Sequence, residues 1–513
     1  MKANQLRAGV VMTYLNIGLG SLIPIFYTPI MLRILGQSEY GLYSLANSVV
    51  GYLSLLTFGL GSTIIRYIAK YRAEDNIDAE EKVIGLFILM YSLLAVLVLI
   101  VGTFISENVE TIFQRGLTEI EINKITILIR IMTFNTAISF PISVFSSIIT
   151  AHERYIYRQM VNILSTVAVP CANIIILYMG LGSIGLSIVS TGLQFLMLPL
   201  NAVYCFKVLK IRPQFRNLPI ALIKELVKFS IFVFIGSIVD MLFWATDKVI
   251  LGMLTSTMVV AVYNIGVTFN TIMTNISTAF SSVLTPKITV MITKHVNPEQ
   301  LTELFVRVGR LQYFIIALAL SGFIVFGRDF ISMWAGPEYK QAYYIAIITL
   351  IPLSIPLIQN TGLSIVIAQN KHQFRSIVYL IIAIVNVIST YYVVPYLGGI
   401  GAALCSAISY LIGQGIIMNI YYYKVTKINV CYFWKNILHI SIIPGLMTII
   451  GLSVSHFFKC NGWLDFLVMV TVYSFLYLFL EYRFSMNSYE KDIVRKPILK
   501  ILDLIKSGIF ENG

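Results

Sequence analysis

The sequence predicts an all-α integral membrane protein with about 14 transmembrane helices, and three observations lead to this prediction. The chain has 513 residues, of which 58% are hydrophobic and only 12% are charged. Soluble domains carry about 25% charged residues. Apolar stretches of the length that crosses a bilayer, about 20 residues, recur from Val10 to Glu481. Most of the 37 Lys and Arg lie at the two ends and in every second gap between these stretches. Such residues are retained in the cytoplasm, so both termini are expected there.

The predicted spans follow from apolar length alone. They cover residues 10–32, 42–65, 83–105, 125–149, 160–180, 184–206, 229–251, 258–285, 308–327, 341–367, 376–396, 401–423, 436–457 and 462–481. Lys2 and Arg7 precede an apolar run that is too long for a signal-peptide core, so the first segment is expected to remain as a span.

An internal repeat relates two parts of the chain. Ala151–Arg158 (AHERYIYR) aligns with Ala368–Arg375 (AQNKHQFR), and Leu181–Gly185 (LGSIG) aligns with Leu397–Gly401 (LGGIG). The two copies hold six spans each and therefore share one orientation. We expect a pseudo-twofold axis along the membrane normal, with a substrate site between the halves that opens alternately to each side.

The repeat predicts the domain organisation. Two homologous six-helix bundles are expected at 1–210 and 217–430, an extra transmembrane pair at 431–483 and a cytoplasmic tail at 484–513. Within the stretch Asn487–Phe510, apolar residues recur at helical spacing with Lys and Arg between them. This pattern favours an amphipathic helix on the cytoplasmic leaflet. A disordered tail is the alternative.

Several short motifs resemble a known family. Tyr27–Gly36 (YTPIMLRILG), Glu39–Tyr43 (EYGLY) and Gly59–Arg66 (GLGSTIIR) are similar to the first two spans of polysaccharide biosynthesis flippases. Thr246–Gly252 (TDKVILG), followed by Tyr263, is similar to the start of the second half in the same group. The chain thus resembles the Wzx-type O-antigen flippases of the MOP exporter superfamily, which also includes the MATE multidrug exporters and the lipid II flippases.

The resemblance implies a function. A protein of this family would flip an undecaprenyl-diphosphate-linked oligosaccharide across the bacterial cytoplasmic membrane, for the synthesis of O-antigen (lipopolysaccharide), capsule or exopolysaccharide. Its partners would be that lipid-linked oligosaccharide, membrane lipids, and the polymerase and chain-length proteins of the same pathway.

Charges within predicted spans indicate a site. Asp240, Trp244 and Asp247 follow one another at i, i+4 and i+7, which is one helix face, and Lys248 borders that face. A charge at the centre of a span costs about 2.5–3.5 kcal/mol on insertion scales, so it needs a partner or water. We expect this face to line a cavity. Asp240 is the candidate for binding a coupling ion, either a proton or sodium. A structural pairing of Asp247 and Lys248 with neighbouring spans is the alternative.

Three arginines are further candidates. Arg33 and Arg66 lie at the ends of spans, and Arg130 lies inside the fourth span. Arginine binds phosphate through two parallel hydrogen bonds, so these residues, together with Lys248, are predicted to contact the substrate head group. The alternative for span-end arginines is anchoring at the membrane surface.

Other function classes are disfavoured. The basic residues are spread over the cytoplasmic gaps, which argues against nucleic-acid binding. Histidines and cysteines lack metal-ligand spacing, and no cofactor is expected beyond the coupling ion. A cluster of outer acidic residues, which includes Glu121, is interpreted as a solvated surface rather than as catalytic groups. Asn47 and Asn264 are expected to bridge helices. The remaining alternatives are a cation-coupled multidrug exporter and a membrane oligosaccharide polymerase or glycosyltransferase.

Overall fold

A computed structural model of the chain describes residues 2–57, 60–293, 297–369, 371–458, 462–493 and 495. The described residues form helices and their connections and contain no strand, which confirms the predicted fold class. In chain order the α-helices are α1 Lys2–Gly51, α2 Leu60–Ala73, α3 Ile77–Glu107, α4 Val109–Phe113, α5 Glu119–Ala151, α6 Tyr155–Tyr178, α7 Gly182–Val203, α8 Ile220–Trp244, α9 Thr246–Leu254, α10 Thr257–Thr293, α11 Pro298–Trp334, α12 Gln341–Ile358, α13 Asn360–Ala368, α14 His372–Tyr410, α15 Met418–Lys424, α16 Val430–Ile440, α17 Ile442–Phe457 and α18 Trp463–Leu480.

Short helices of other types extend this series. Two 3₁₀ helices cover Tyr52–Thr57 and Pro337–Tyr339, and three π-helices cover Tyr204–Val208, Leu411–Ile417 and Glu481–Ser485. After the last of these, the chain forms a terminal helical turn at 488–493. The rest of the predicted amphipathic tail, apart from Arg495, lies outside the described residues.

The part of the chain that the structure describes has 11 helical regions long and apolar enough to cross a membrane. Two of them, Val11–Ala73 and Gln373–Lys424, have 63 and 52 residues. Each of these two lengths would suffice for two crossings of about 20 residues. The predicted span 229–251 corresponds to the end of α8 and the start of α9. The structure therefore supports a multi-pass protein, and the number of 14 spans stays a prediction.

The chain forms two compact units. Unit 1 comprises Met1–Ile265 and Ser376–Ser406, and unit 2 comprises Gly266–Arg375 and Ala407–Gly513. The predicted division into bundles at 1–210 and 217–430, a pair at 431–483 and a tail at 484–513 stays a prediction.

Glycines with positive φ mark sharp turns inside unit 1. The long helix α1 changes direction at Gly36, whose φ is 77°. Gly182 and Gly398, which correspond in the predicted repeat, have φ values of 58° and 54°. Side chains with a Cβ rarely adopt such values, so glycine is required at these turns. The shared backbone geometry agrees with the sequence alignment of the two copies.

Unit 1 is held together by polar contacts as well as apolar packing. Between α1 and α6, Gln159 donates a hydrogen bond to Thr13 at 2.8 Å, and Thr166 donates to Asn16 at 3.0 Å. Such bonds join helices within a bilayer, where apolar side chains gain little by leaving lipid. Other helix faces are apolar and exposed, as on α3 at Leu93 and Phe104. These faces suit contact with lipid.

Unit 2 has an aromatic core where α11, α17 and α18 meet. Phe326 contacts Tyr473 and Phe466 edge to face, with ring centroids 5.5 and 6.3 Å apart. Tyr477 is fully buried and donates a hydrogen bond to the backbone oxygen of Phe314 at 3.2 Å. The last predicted span, 462–481, is thus packed on α11 through large buried rings.

Candidate functional site

A break between α8 and α9 shapes the candidate site. Helix α8 ends at Trp244 and α9 begins at Thr246, with Ala245 between them at φ −111° and ψ −35°. The hydroxyls of Thr246 and Tyr52 form a hydrogen bond that attaches α9 to the 3₁₀ helix after α1. The regular i, i+4, i+7 face expected from the sequence is therefore interrupted in its middle.

A cavity of about 350 Å³ lies beside this break, within unit 1. Its walls come from α1, α8, α9 and α10. The lining residues are Met31, Tyr40, Tyr43, Ser44, Asn47, Ser48, Gly51, Met241, Trp244, Ala245, Lys248 and Asn264. The volume falls within the usual range for small-molecule sites, about 300–1,000 Å³. Aromatic rings, neutral polar groups and one cation share the wall, so the cavity suits a polar ligand with negative charge.

Lys248 is the cation of this cavity, and neutral groups hold it in place. Its Nζ donates a hydrogen bond to Oδ1 of Asn264 at 3.2 Å, and Nδ2 of Asn264 donates to the hydroxyl of Tyr40 at 2.7 Å. A lysine ammonium has three N–H donors. Asn264 accepts from one of them and carries no charge, while the neighbouring carboxylate of Asp247 acts on Lys248 electrostatically. Other N–H donors of Lys248 remain available to an anion.

Asp247 occupies a different environment, although it precedes Lys248 in the chain. Its side chain is 1% exposed. The carboxylate accepts hydrogen bonds from the hydroxyls of Tyr263 and Ser406, the latter at 2.8 Å, with Thr390 further away at 3.4 Å. Three hydroxyl donors offset part of the cost of burying this charge. Asp247 thus joins α9 to α10 and to both parts of α14 on either side of Gly398.

The other predicted site residues lie apart from the cavity wall. Asp240 is exposed on α8 and is not a lining residue, whereas Trp244 is one. Arg33, Arg66 and Arg130 are exposed as well. The structure thus brings together Trp244 and Lys248 and separates them from the other candidates. Whether any of these residues binds substrate stays a prediction.

Arg130 has a defined partner nearby. Its Nε donates a hydrogen bond to the hydroxyl of Ser106 at 3.2 Å, which links α5 to the end of α3. Among the described residues, no group of three His, Cys, Asp or Glu is placed to hold a metal ion.

Of the twelve lining residues, only Trp244 and Lys248 belong to the predicted site, and four of the others are polar or aromatic residues of particular interest. Tyr40, Tyr43, Asn47 and Asn264 contribute polar atoms or rings to the wall. Two of them, Tyr40 and Tyr43, belong to the EYGLY motif, one of the motifs that carry the family resemblance. Asn264 bridges helices, as the sequence analysis expected for asparagines in spans, and it also contacts the cavity cation.

Glu39, which precedes Tyr40 on α1, is itself held by two contacts. Glu39 binds Lys124 at 2.8 Å and accepts a hydrogen bond from the backbone N–H of Ser183 at 2.6 Å. These bonds hold the chain immediately before Tyr40.

Glu121 has a comparable linking role. It caps the start of α5 together with Thr118, and it accepts hydrogen bonds from Ser38 and Thr257 at 2.7 Å each. The expectation that Glu121 belongs to a solvated surface misses this role, because its partners lie more than 80 residues away in the chain.

The fold is similar to those of solved membrane transporters. The solved lipid II flippase MurJ in an inward closed conformation superposes with a TM-score of 0.72 at 16% identity, covering 93% of this chain and 98% of that one. An inward-facing multidrug resistance transporter of the MATE family and the MOP superfamily gives a TM-score of 0.61 at 14% identity, with coverage of 79% and 96%. Identities this low show the shared fold only.

Residues 6–292 match the family named polysaccharide biosynthesis protein, and the chain belongs to that family. A full-length relative is the uncharacterized membrane protein EpsK of Bacillus subtilis (strain 168), which is 22% identical over 495 residues, or 93% of this chain and 95% of the relative. The resemblance found in the motifs is thereby confirmed. The chain is therefore a multi-pass membrane protein of a polysaccharide biosynthesis family, and it shares its fold with a lipid II flippase and a MATE transporter.

Proposed function

We propose that this protein flips an undecaprenyl-diphosphate-linked oligosaccharide across the bacterial cytoplasmic membrane by alternating access, for O-antigen, capsule or exopolysaccharide synthesis. The observation that carries the proposal is Lys248, a cation in a polar cavity whose only described hydrogen-bond partner is the neutral Asn264. Family membership supports the polysaccharide pathway. The alternation of Lys and Arg along the chain supports cytoplasmic N- and C-termini.

The cavity chemistry fits the head group of such a lipid. A diphosphate carries several negative charges, and Lys248 supplies a positive charge in a partly dehydrated environment, where the attraction is stronger than in water. The rings of Tyr40, Tyr43 and Trp244 offer apolar faces with polar edges. Such surfaces suit a sugar, which has both C–H faces and hydroxyls. Arg33, Arg66 and Arg130 are proposed as further phosphate contacts along the route.

The hydroxyl-lined carboxylate of Asp247 is proposed as the site of the coupling ion. A carboxylate and hydroxyl oxygens are ligands that suit a hard cation. For sodium, the hydroxyls would keep their protons and turn their oxygens towards the ion, with Asp247, Tyr263, Ser406 and Thr390 as the nearest oxygen groups. A proton on the carboxyl group would be the alternative. Asp240, exposed on α8, stays a second candidate.

A multidrug exporter is the second candidate function, because the same fold occurs in a multidrug resistance transporter. The cation in the cavity argues against export of cationic compounds, since like charges repel. A polymerase or glycosyltransferase is disfavoured by the family and the fold. The polymerase and chain-length proteins of the pathway are proposed as partners instead.

A clean chromosomal deletion distinguishes these functions. A flippase mutant is expected to lose surface polysaccharide and to accumulate the lipid-linked oligosaccharide on the inner leaflet, with unchanged drug sensitivity. Wild-type protein supplied from a plasmid should restore the polysaccharide. Normal polysaccharide together with increased drug sensitivity would instead establish the exporter. A deletion mutant whose surface polysaccharide consists of single, unpolymerised repeat units would instead identify a polymerase.

A further inference from the structure

Arg310, in unit 2, holds the beginning of the C-terminal tail. Its guanidinium donates hydrogen bonds to both carboxylate oxygens of Glu490, at 2.6 and 2.9 Å, and to the backbone oxygen of Ser485 at 3.0 Å. The side chains of Arg310 and Glu490 are 8% and 0% exposed. A buried bidentate pair of this kind is costly to break, because removing one partner leaves an uncompensated charge.

The same contact orders the terminal turn. The backbone N–H of Asn487 donates to Oε2 of Glu490 at 2.8 Å, and the N–H of Glu490 donates to Oδ1 of Asn487 at 2.9 Å. The guanidinium of Arg307 lies 4.4 Å from the ring centre of Tyr489. Residues 487–490 are thus fastened to α11 through Glu490 and Tyr489.

A second carboxyl group lies beside this ion pair. Glu481, in the π-helix after α18, is fully buried, and neither of its oxygens accepts a hydrogen bond of normal geometry from the described residues. Its nearest donors are the hydroxyls of Tyr477 and Ser485, and Arg310 and Glu490 act on it electrostatically. Glu490 already neutralises Arg310. An ionised Glu481 would therefore leave a net negative charge in a buried site, at a cost of several kcal/mol.

We propose that Glu481 is a proton-binding site, and that its proton determines whether the C-terminal segment 487–493 stays bound to Arg310. With the proton in place, Glu481 is neutral and Arg310 pairs with Glu490 alone. When the proton leaves, two carboxylates compete for one guanidinium, and the contact to Glu490 weakens. The site is separate from Asp247 and the unit 1 cavity, so it goes beyond the proposed transport function.

Within the part of the chain that the structure describes, few titratable or charged groups act on Glu481. Helix α11 contributes Arg310 and Tyr313, α18 contributes Tyr477, and the terminal turn contributes Glu490. The neighbouring helix α16 carries Lys435 and His439, but both side chains are exposed and neither is among the groups that act on Glu481. Arg310 is accordingly the cation for which Glu481 and Glu490 would compete.

Hydrogen exchange of the full-length protein in lipid nanodiscs tests this inference. The peptide covering 487–493 would be followed at pH 6 and pH 9, with rates corrected for the intrinsic effect of pH on exchange. In the wild type, protection of this peptide is expected to fall by about tenfold or more at the higher pH, which corresponds to about 1.4 kcal/mol. Glu481→Gln keeps the shape of the side chain but cannot ionise. In this variant, protection of the 487–493 peptide should be high at both pH 6 and pH 9.

Glu490→Gln is the complementary variant, since it should lose protection at both pH values. If Glu481→Gln were unstable, Glu481→Leu would remove the proton site with another neutral side chain. Equal wild-type protection at pH 6 and pH 9 would overturn the inference, and so would a Glu481→Gln profile with the same pH dependence as the wild type. None of these measurements depends on transport activity, so their outcome is independent of the proposed flippase function.

Discussion

Asp247 and Lys248 are adjacent in the chain, yet their side chains bind different partners. Asp247 is buried among the hydroxyls of Tyr263, Ser406 and Thr390, whereas Lys248 donates to Asn264 at the cavity. On a helix, neighbouring side chains diverge by about 100°, so one turn can present opposite charges to two sites. The family motif TDKVILG thus supplies both a buried oxygen cluster and an accessible cation.

Replacing the cavity cation should impair export. Lys248→Met retains most of the side-chain length and removes the charge, so polysaccharide output is expected to fall about tenfold or more, equivalent to about 1.4 kcal/mol of lost binding free energy. Arg130→Met should reduce output less, because Arg130 is not a lining residue. The measurement is cell-surface polysaccharide at matched protein levels. The exposed Lys435→Met serves as the control. Normal output from Lys248→Met would remove Lys248 from the proposed site.

Ion binding at Asp247 should appear as stabilisation by sodium. A ligand that binds only the folded state adds about 1.4 kcal/mol of stability at ten times its Kd. The melting temperature of the purified protein is therefore expected to be higher in sodium chloride than in choline chloride at equal ionic strength. Asp247→Asn should abolish this difference, and Ser406→Ala should reduce it. Asp240→Asn is the matched variant, and loss of the sodium effect there instead would move the ion site to Asp240.

A methyl group at Gly41 should destabilise unit 1. A Cβ placed on Gly41 would lie 1.8 Å from the backbone oxygen of Thr257, so α1 or α10 would have to move. Overpacking of this kind costs about 1–3 kcal/mol. Gly20, in the same helix, has nothing within 4 Å of such a Cβ. Thermal unfolding in detergent should show a lower melting temperature for Gly41→Ala and an equal or higher one for Gly20→Ala. Equal stability of both variants would contradict this packing.

His152 should make the protein less stable in acid. Burial, and secondarily the positive charge of Arg72, lower the pKa of His152 from 6.5 to about 4. Glu80 lies 3.3 Å from Nε2, but its attraction does not outweigh these effects. The unfolded chain therefore takes up a proton on His152 at a higher pH than the folded protein does.

Stability is consequently lost as the pH falls from about 6.5 towards 4. His152→Gln should remove this part of the pH dependence, which is measured as the difference in melting temperature between variant and wild type from pH 8 to pH 4.5. A constant difference across that range would show that His152 does not titrate as expected.

The sequence by itself determined the class of the protein and much of its helical plan. Long apolar stretches cannot be stable as exposed surface in water, so their number and length already specify a helical membrane protein. The motifs from Tyr27 to Gly252 led to the family, and the repeat aligned Gly182 with Gly398, which both have positive φ in the structure. Apolar length, short motifs and aligned glycines are all local features of the chain, so they can be read from the sequence without knowing how the helices pack.

Only the tertiary structure decided which polar residues meet. The junction of α8 and α9 at Ala245 lies within the face that Asp240, Trp244 and Asp247 were predicted to share, and of these three residues only Trp244 lines the cavity. Asn264 connects Tyr40 to Lys248 through one hydrogen bond to each residue. Arg310 and Glu490 lie close enough to Glu481 to act on it electrostatically. Partners more than 100 residues apart leave no periodic signal, because their proximity depends on how whole helices pack rather than on spacing along one of them.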